Sequence, residues 1–238
     1  MRDVTWRGDV PRACAPMWYH SFMRGYAICL GAVLVVTGCD ASQPATPTPS
    51  SATPHSAAVD PAAVARVRSA LPPGYEVGNL ADHAAPASFW GLKPQWTAEP
   101  TQCGALADPG AGAPVRGWSA SGPGGIVYAL VAGPGAGAGV PHGCVAWTLA
   151  GGRTTAAVNA VEAPAIADTP TAAMSTVATT VVEGGTETRS HADTVNAYLD
   201  SGYVASVTVV TDPGSALPVL GPDVAARLLA QTVTAVRG

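Results

Sequence analysis

Lysine occurs once in this chain, at Lys93, phenylalanine only twice, and charged side chains make up 12% of the 238 residues. Twelve basic residues against sixteen acidic ones give a formal charge of -4, and Arg2, Arg7, Arg12 and Arg24 fall within the first 38 positions. The rest of the chain therefore has no basic stripe with which to displace phosphate counterions, which excludes nucleic acid as a partner. Scarce leucine, isoleucine and methionine exclude a coiled coil, and the low charge excludes a charged disordered chain. No Cys-x-x-Cys and no histidine or carboxylate spacing of a zinc or calcium site occurs after Cys39, so neither metal nor cofactor is expected. What the sequence does have is alanine, valine, glycine and threonine, with 47% hydrophobic residues, enough for one or two domains.

The most specific stretch runs from Arg24 through Ile28-Cys29-Leu30-Gly31-Ala32-Val33-Leu34-Val35-Val36 to Thr37-Gly38-Cys39. A charge, an uncharged apolar run and then small residues is the order of a secretory signal. The run is too short for a comfortable membrane span of about 20 residues. Its end, Val36-Thr37-Gly38-Cys39, resembles a bacterial lipobox, which implies lipidation of Cys39 and removal of residues 1–38. Met1 to Phe22 contains acids, Pro11 and Cys14 where a short basic opening is usual, so the true start is expected at Met23, with Met17 the second candidate. The anchor would add roughly 0.8 kcal/mol of membrane affinity per buried CH2, placing the protein at the extracytoplasmic face of the cell membrane.

Asp40 to Ala58 holds four prolines, four serines, three threonines and five alanines, with no large apolar side chain. Such a segment cannot offset its ordering entropy by burial and reads, with Cys39, as a tether over 39–58. A single globular domain is expected over 59–238. Asp60-Pro61 is an N-cap followed by a first-turn proline, and Val64, Val67 and Leu71 share a helical face before Pro72-Pro73. Strand patterns follow at Ile126–Val131, Val145–Leu149, Thr176–Val182 and Val204–Val210. Thr188–Leu199 fits either period, and Asp200-Ser201-Gly202 tips it toward a hairpin with Tyr203–Val210. Pro222-Asp223 opens a last helix with Val224, Leu228, Val233 and Val236 on one stripe. The expected fold is α+β, an antiparallel sheet with an N-terminal and a C-terminal helix packed on one face.

Cys14 and Cys29 belong to the removed segment and Cys39 to the anchor, which leaves Cys103 and Cys144 in an oxidising compartment. A disulfide between them is expected, with a thiol or metal site as the weaker readings. Nothing demands an enzyme. Gly133 to Gly139 lacks the following helix that a dinucleotide loop needs and reads as a strand-connecting loop. Gly117-Trp118-Ser119-Ala120-Ser121 misses the last glycine of a nucleophile elbow. His191-Ala192-Asp193 beside Ser190 invites a triad, but sequence neighbours point different ways on a strand, so these residues, like Asp82-His83, read as solvated. The aromatic knot Phe89, Trp90 and Trp96 is the candidate binding surface, because indoles stack on sugars and anchor interfaces; bulk for the core is the competing role.

Leu71-Pro72-Pro73-Gly74-Tyr75-Glu76, Phe89-Trp90-Gly91, Trp96 to Leu106, Gly117 to Gly122, Tyr203 to Pro213 and Gly221-Pro222-Asp223 together resemble a mycobacterial cell-envelope lipoprotein family with a domain of unknown function. More distantly, a leading helix, an early cysteine, hairpins and a final helix are similar to the extracellular sensor domain of mycobacterial receptor serine/threonine kinases. The resemblance implies an envelope location and ligand sensing, and supplies no catalytic residues. The expected function is a non-enzymatic, lipid-anchored domain that binds an envelope ligand or protein. The alternatives are a lipid or glycolipid carrier, which needs a cavity of several hundred Å3, and an envelope hydrolase built around Ser119, His142 or His191.

Overall fold

The computed structural model describes residues 58–137, 139–211 and 218–238. Cys39, the signal segment and all but the last residue of the tether lie outside them. In chain order a 3-10 helix (Pro61–Ala70) leads to β1 (Glu76–Asn79), α1 (Pro86–Phe89) and β2 (Thr97–Glu99). A 3-10 turn (Thr101–Cys103) runs into α2 (Gly104–Ala107), followed by β3 (Val115–Gly122) and β4 (Gly125–Ala132). Then come β5 (Ala146–Gly151), β6 (Thr154–Val161), β7 (Thr171–Val181), β8 (Glu187–Leu199), β9 (Tyr203–Thr211) and α3 (Pro222–Arg237).

The strands form one nine-stranded sheet in the order β1-β3-β4-β9-β8-β7-β6-β5-β2. Every neighbouring pair is antiparallel. The α+β class therefore holds in general terms, as a large antiparallel sheet with a few helices, one of them C-terminal. Local signals place the first element: the Asp60 carboxylate accepts from the Ala62 amide at 3.0 Å and Pro61 occupies the first turn. The segment winds as a 3-10 helix, and the Trp118 indole on β3 donates to the Val64 carbonyl at 2.9 Å.

Both faces of the sheet are covered. On one, Ala63, Val64 and Val67 share a buried cluster with Leu228, Leu229 and Val233 of α3 and with Trp118, Val127 and Val207 of the strands. On the other, the excursion from Leu80 to Ala113 folds back, so that Trp90, Cys103 and Leu106 pack with Leu130, Trp147 and Met174. The central strands are thus buried from both sides, whereas β5 alternates exposed and buried residues as a half-covered strand must.

The β8–β9 hairpin matches the expected one, with Leu199 opposite Tyr203 across Asp200-Ser201-Gly202. Ser201 and Gly202 both adopt positive φ, 62° and 73°, which suits a small polar residue followed by glycine. Two boundaries differ from expectation. Val145 is 74% exposed and precedes β5, and β7 begins at Thr171, five residues before the β-branched run that marked it.

Candidate functional site

A cleft of about 700 Å3 opens between the β6–β7 connection, β7 and β8, and the first turns of α3. Its polar floor is Ser175, His191 and Asp193. Asp193 stands directly opposite Ser175 in the β7–β8 register, and His191 lies two residues before Asp193 on the same strand. Residues i and i+2 of a strand share a face. The reading of His191 and Asp193 as divergent, solvated neighbours is therefore corrected: they converge, and Asp193 is only 9% exposed. Ser190 alternates to the other face, and the hydroxyl that joins them is Ser175.

One ring nitrogen serves both partners. His191 Nε2 lies 3.4 Å from Ser175 Oγ and 3.4 Å from Asp193 Oδ1. A relay needs the carboxylate on Nδ1 while Nε2 faces the serine. Here a proton on Nε2 directed to Asp193 removes the base, and a bare Nε2 facing Ser175 opposes its lone pair to the carboxylate. The trio can hold a ligand by hydrogen bonds, and its carboxylate meets Nε2 rather than the Nδ1 that a relay uses. Glu162 and Asp223 add acidic groups to the rim, so the cleft suits a neutral or cationic group better than an anion.

Cys103 and Cys144 are joined, with Cα atoms 5.6 Å apart. The aromatic knot divides. Trp90 is 1% exposed and its indole donates to Thr194 Oγ1 at 3.1 Å, in turn paired with Thr208 Oγ1 at 2.9 Å, so Trp90 presents no surface and is corrected to a core residue. Phe89 is half-buried and stacks on Tyr128 with ring centroids 3.9 Å apart. Trp96 alone borders open space: it walls clefts of about 680 and 340 Å3, and Asp108 walls both as well. Burial raises the Asp108 carboxyl above the usual carboxylate range.

The remaining sequence candidates do not converge. Ser119 pairs with Tyr128 on β3–β4, three strands from His191 and on the face that carries α1. His142 is exposed in the turn before Cys144, and His83 lines the smaller of the two Trp96 clefts. Gly133 to Gly139 connects strands, and Gly135 and Gly137 border the larger Trp96 cleft. Among the described residues, no group of three or more histidine, cysteine, aspartate or glutamate side chains is placed to hold a metal.

The model of a domain of unknown function, DUF5642, matches residues 60–237, nearly the whole of the described fold. The chain belongs to the DUF5642 family. No curated protein matches it in sequence. The DUF5642 fold is similar to the X-ray structure of an uncharacterized protein from Mycobacterium smegmatis (Rv0999 ortholog), with TM-score 0.57 and 22% identity over 76% of this chain and 98% of that one. At that identity the likeness concerns the fold alone. Two features of this DUF5642 chain escaped the sequence reading. Asp108 carried no signal, being a single acid between helix and loop. Ser175 sits 16 residues from His191 and meets it only through the β7–β8 register.

Proposed function

We propose that this protein is a lipid-anchored extracytoplasmic envelope protein whose DUF5642 domain holds a ligand without converting it, in the manner of a sensor. Cys39 would carry the lipid and 39–58 would hold the domain clear of the membrane. The observation that carries the reading is the cleft over Ser175, His191 and Asp193, in which a single imidazole nitrogen meets both partners. Several hundred Å3 with a few convergent polar groups is the usual form of a small-molecule site.

The anchor has its own test. In a host with the lipoprotein pathway, the wild-type chain is expected to label with an alkyne palmitate and to partition into detergent. Cys39→Ser should abolish both, and label retained by Cys39→Ser would overturn the anchor.

For the cleft, the full chain in detergent is incubated separately with the aqueous low-mass fraction and the lipid extract of mycobacterial envelope, repurified and weighed by native mass spectrometry. The expected result is an adduct from the aqueous fraction that Ala226→Trp, which places an indole into the cleft wall, removes. A bare mass from both fractions would overturn the small-ligand reading. A lipid adduct would replace it with the carrier. One observation favours that second reading: an apolar pit of about 190 Å3 beside Trp147 shares Val161, Ala163, Ala173 and Met174 with the cleft.

A further inference from the structure

The face of the sheet opposite α3 carries a feature that the proposed function does not use. Trp96 is fixed from below by two glycines: a Cβ on Gly104 would come within 3.1 Å of Trp96 Cζ3, and one on Gly151 within 2.8 Å of Trp96 Cβ. At Gly151 a side chain would force Trp96 to shift, and at Gly104 it would crowd the ring by a few tenths of an ångström. Gln95, immediately before it, holds φ at 72°, a left-handed conformation costly for a side-chain-bearing residue, and it lines the smaller cleft. The indole is therefore positioned by its surroundings, at the saddle between clefts of about 680 and 340 Å3.

Asp108 is the second wall residue that the two clefts share. It is half-buried, and among the described residues its carboxylate has neither a cation nor a side-chain hydrogen bond. Its oxygens are not fully enclosed, so solvent reaches them, and donors supplied from outside would take the place of that water. The hydroxyls of Thr97 and Thr101 and the side-chain-free backbone of Gly135 and Gly137 complete the larger cleft.

From this geometry we infer a carbohydrate site: a neutral oligosaccharide lies across the saddle, one pyranose or furanose ring stacked on Trp96 and its hydroxyls donating to Asp108. An organic cation is the chemical competitor, since it too would meet an indole and a carboxylate. Quaternary-ammonium sites surround the charge with several aromatic faces, and among the described residues Trp96 is the one tryptophan, tyrosine or phenylalanine lining either cleft. Asp108 disfavours an anion. The site stands on the opposite face from the Ser175 cleft and does not depend on it.

The test is a titration of the full chain in detergent, followed through the indole N–H signal of Trp96 in a proton–nitrogen correlation spectrum and assigned with Trp96→Phe. The probes are gluco-, manno-, galacto- and arabino-configured trisaccharides, with choline as the cationic arm. At least one saccharide is expected to shift the Trp96 signal saturably while leaving those of the buried Trp90 and Trp118 in place. Asp108→Asn, a substitution at a half-buried position that preserves shape, should weaken that binding about tenfold or more, as loss of hydrogen bonds to a charged group does. Ala226→Trp should leave it unchanged, so that failure of the cleft reading and failure of this one are separately visible. Silence to all four saccharides, a response to choline alone, or full affinity in Asp108→Asn would each overturn the proposal.

Discussion

Cys103→Ala is expected to lower the stability of the domain by about 4 kcal/mol, the largest loss of any change that removes so few atoms. The bridge closes a sequence separation of 41 residues and joins the end of the turn before α2 to the approach to β5. In the chain-entropy model the effect lies mainly in the unfolded state, where the cross-link withholds loop freedom. Both cysteines also belong to the buried cluster with Trp90, Leu106 and Trp147, so the bridge fastens the Leu80–Ala113 excursion onto the sheet. Urea unfolding of the wild type, Cys103→Ala, Cys144→Ala and the double variant is the check. The two single variants should lose similar amounts, and the double little more, because all three lack the same bond. At roughly 2–4 °C per kcal/mol for a domain of this size, the melting temperature should fall by about 8–16 °C. Equal midpoints for oxidised and reduced wild type would contradict the assignment.

Trp90→Ala should cost about 3–5 kcal/mol, the range for truncating a fully buried aromatic side chain. The indole is 1% exposed, lies 6.3 Å from the Trp147 ring, and ends its polar edge on Thr194. Truncation would open a cavity between α1 and the sheet and strip the Thr194–Thr208 pair of its donor. Trp90→Phe should recover part of the loss but not the hydrogen bond. Chemical unfolding measures both. A Trp90→Ala variant within about 0.5 kcal/mol of wild type, the scale of an ordinary surface change, would return Trp90 to the surface.

The contrast between Trp90 and Trp96 marks how far the sequence could be read. Six residues apart in an Ala- and Pro-rich stretch, they look alike as letters. What separates them is that Pro86–Phe89 makes one helical turn facing Thr194, whereas the left-handed Gln95 turns Trp96 outward over Gly104. The Val/Ile-rich β4 and β9 were legible because β-branched residues buried on both faces leave an unbroken run between glycine and aspartate boundaries. The same double burial erased the alternation of β8, where Ala192 to Leu199 are all buried, and only the Ser-Gly turn after it decided the element.

β6 was missed altogether. Its inward positions are Thr154, Ala156 and Val158, and the exposed alanine between the last two, Ala157, blurs the apolar-polar alternation that marks a strand. At the site, the period of two along β8 puts His191 and Asp193 on one face and Ser190 and Ala192 on the other. Ser175 and Asp108 depended on register and on burial, which no single-chain pattern encodes.

The central claim is that the Ser175–His191–Asp193 cleft holds its ligand rather than converting it. The most direct measurement is the mass of the species bound by the wild type, followed over time and compared with that bound by Ser175→Ala. The geometry, with one imidazole nitrogen facing both the hydroxyl and the carboxylate, predicts the same unaltered mass in both proteins. A cleavage product that forms in the wild type and disappears in Ser175→Ala would contradict the account and make this domain a hydrolase.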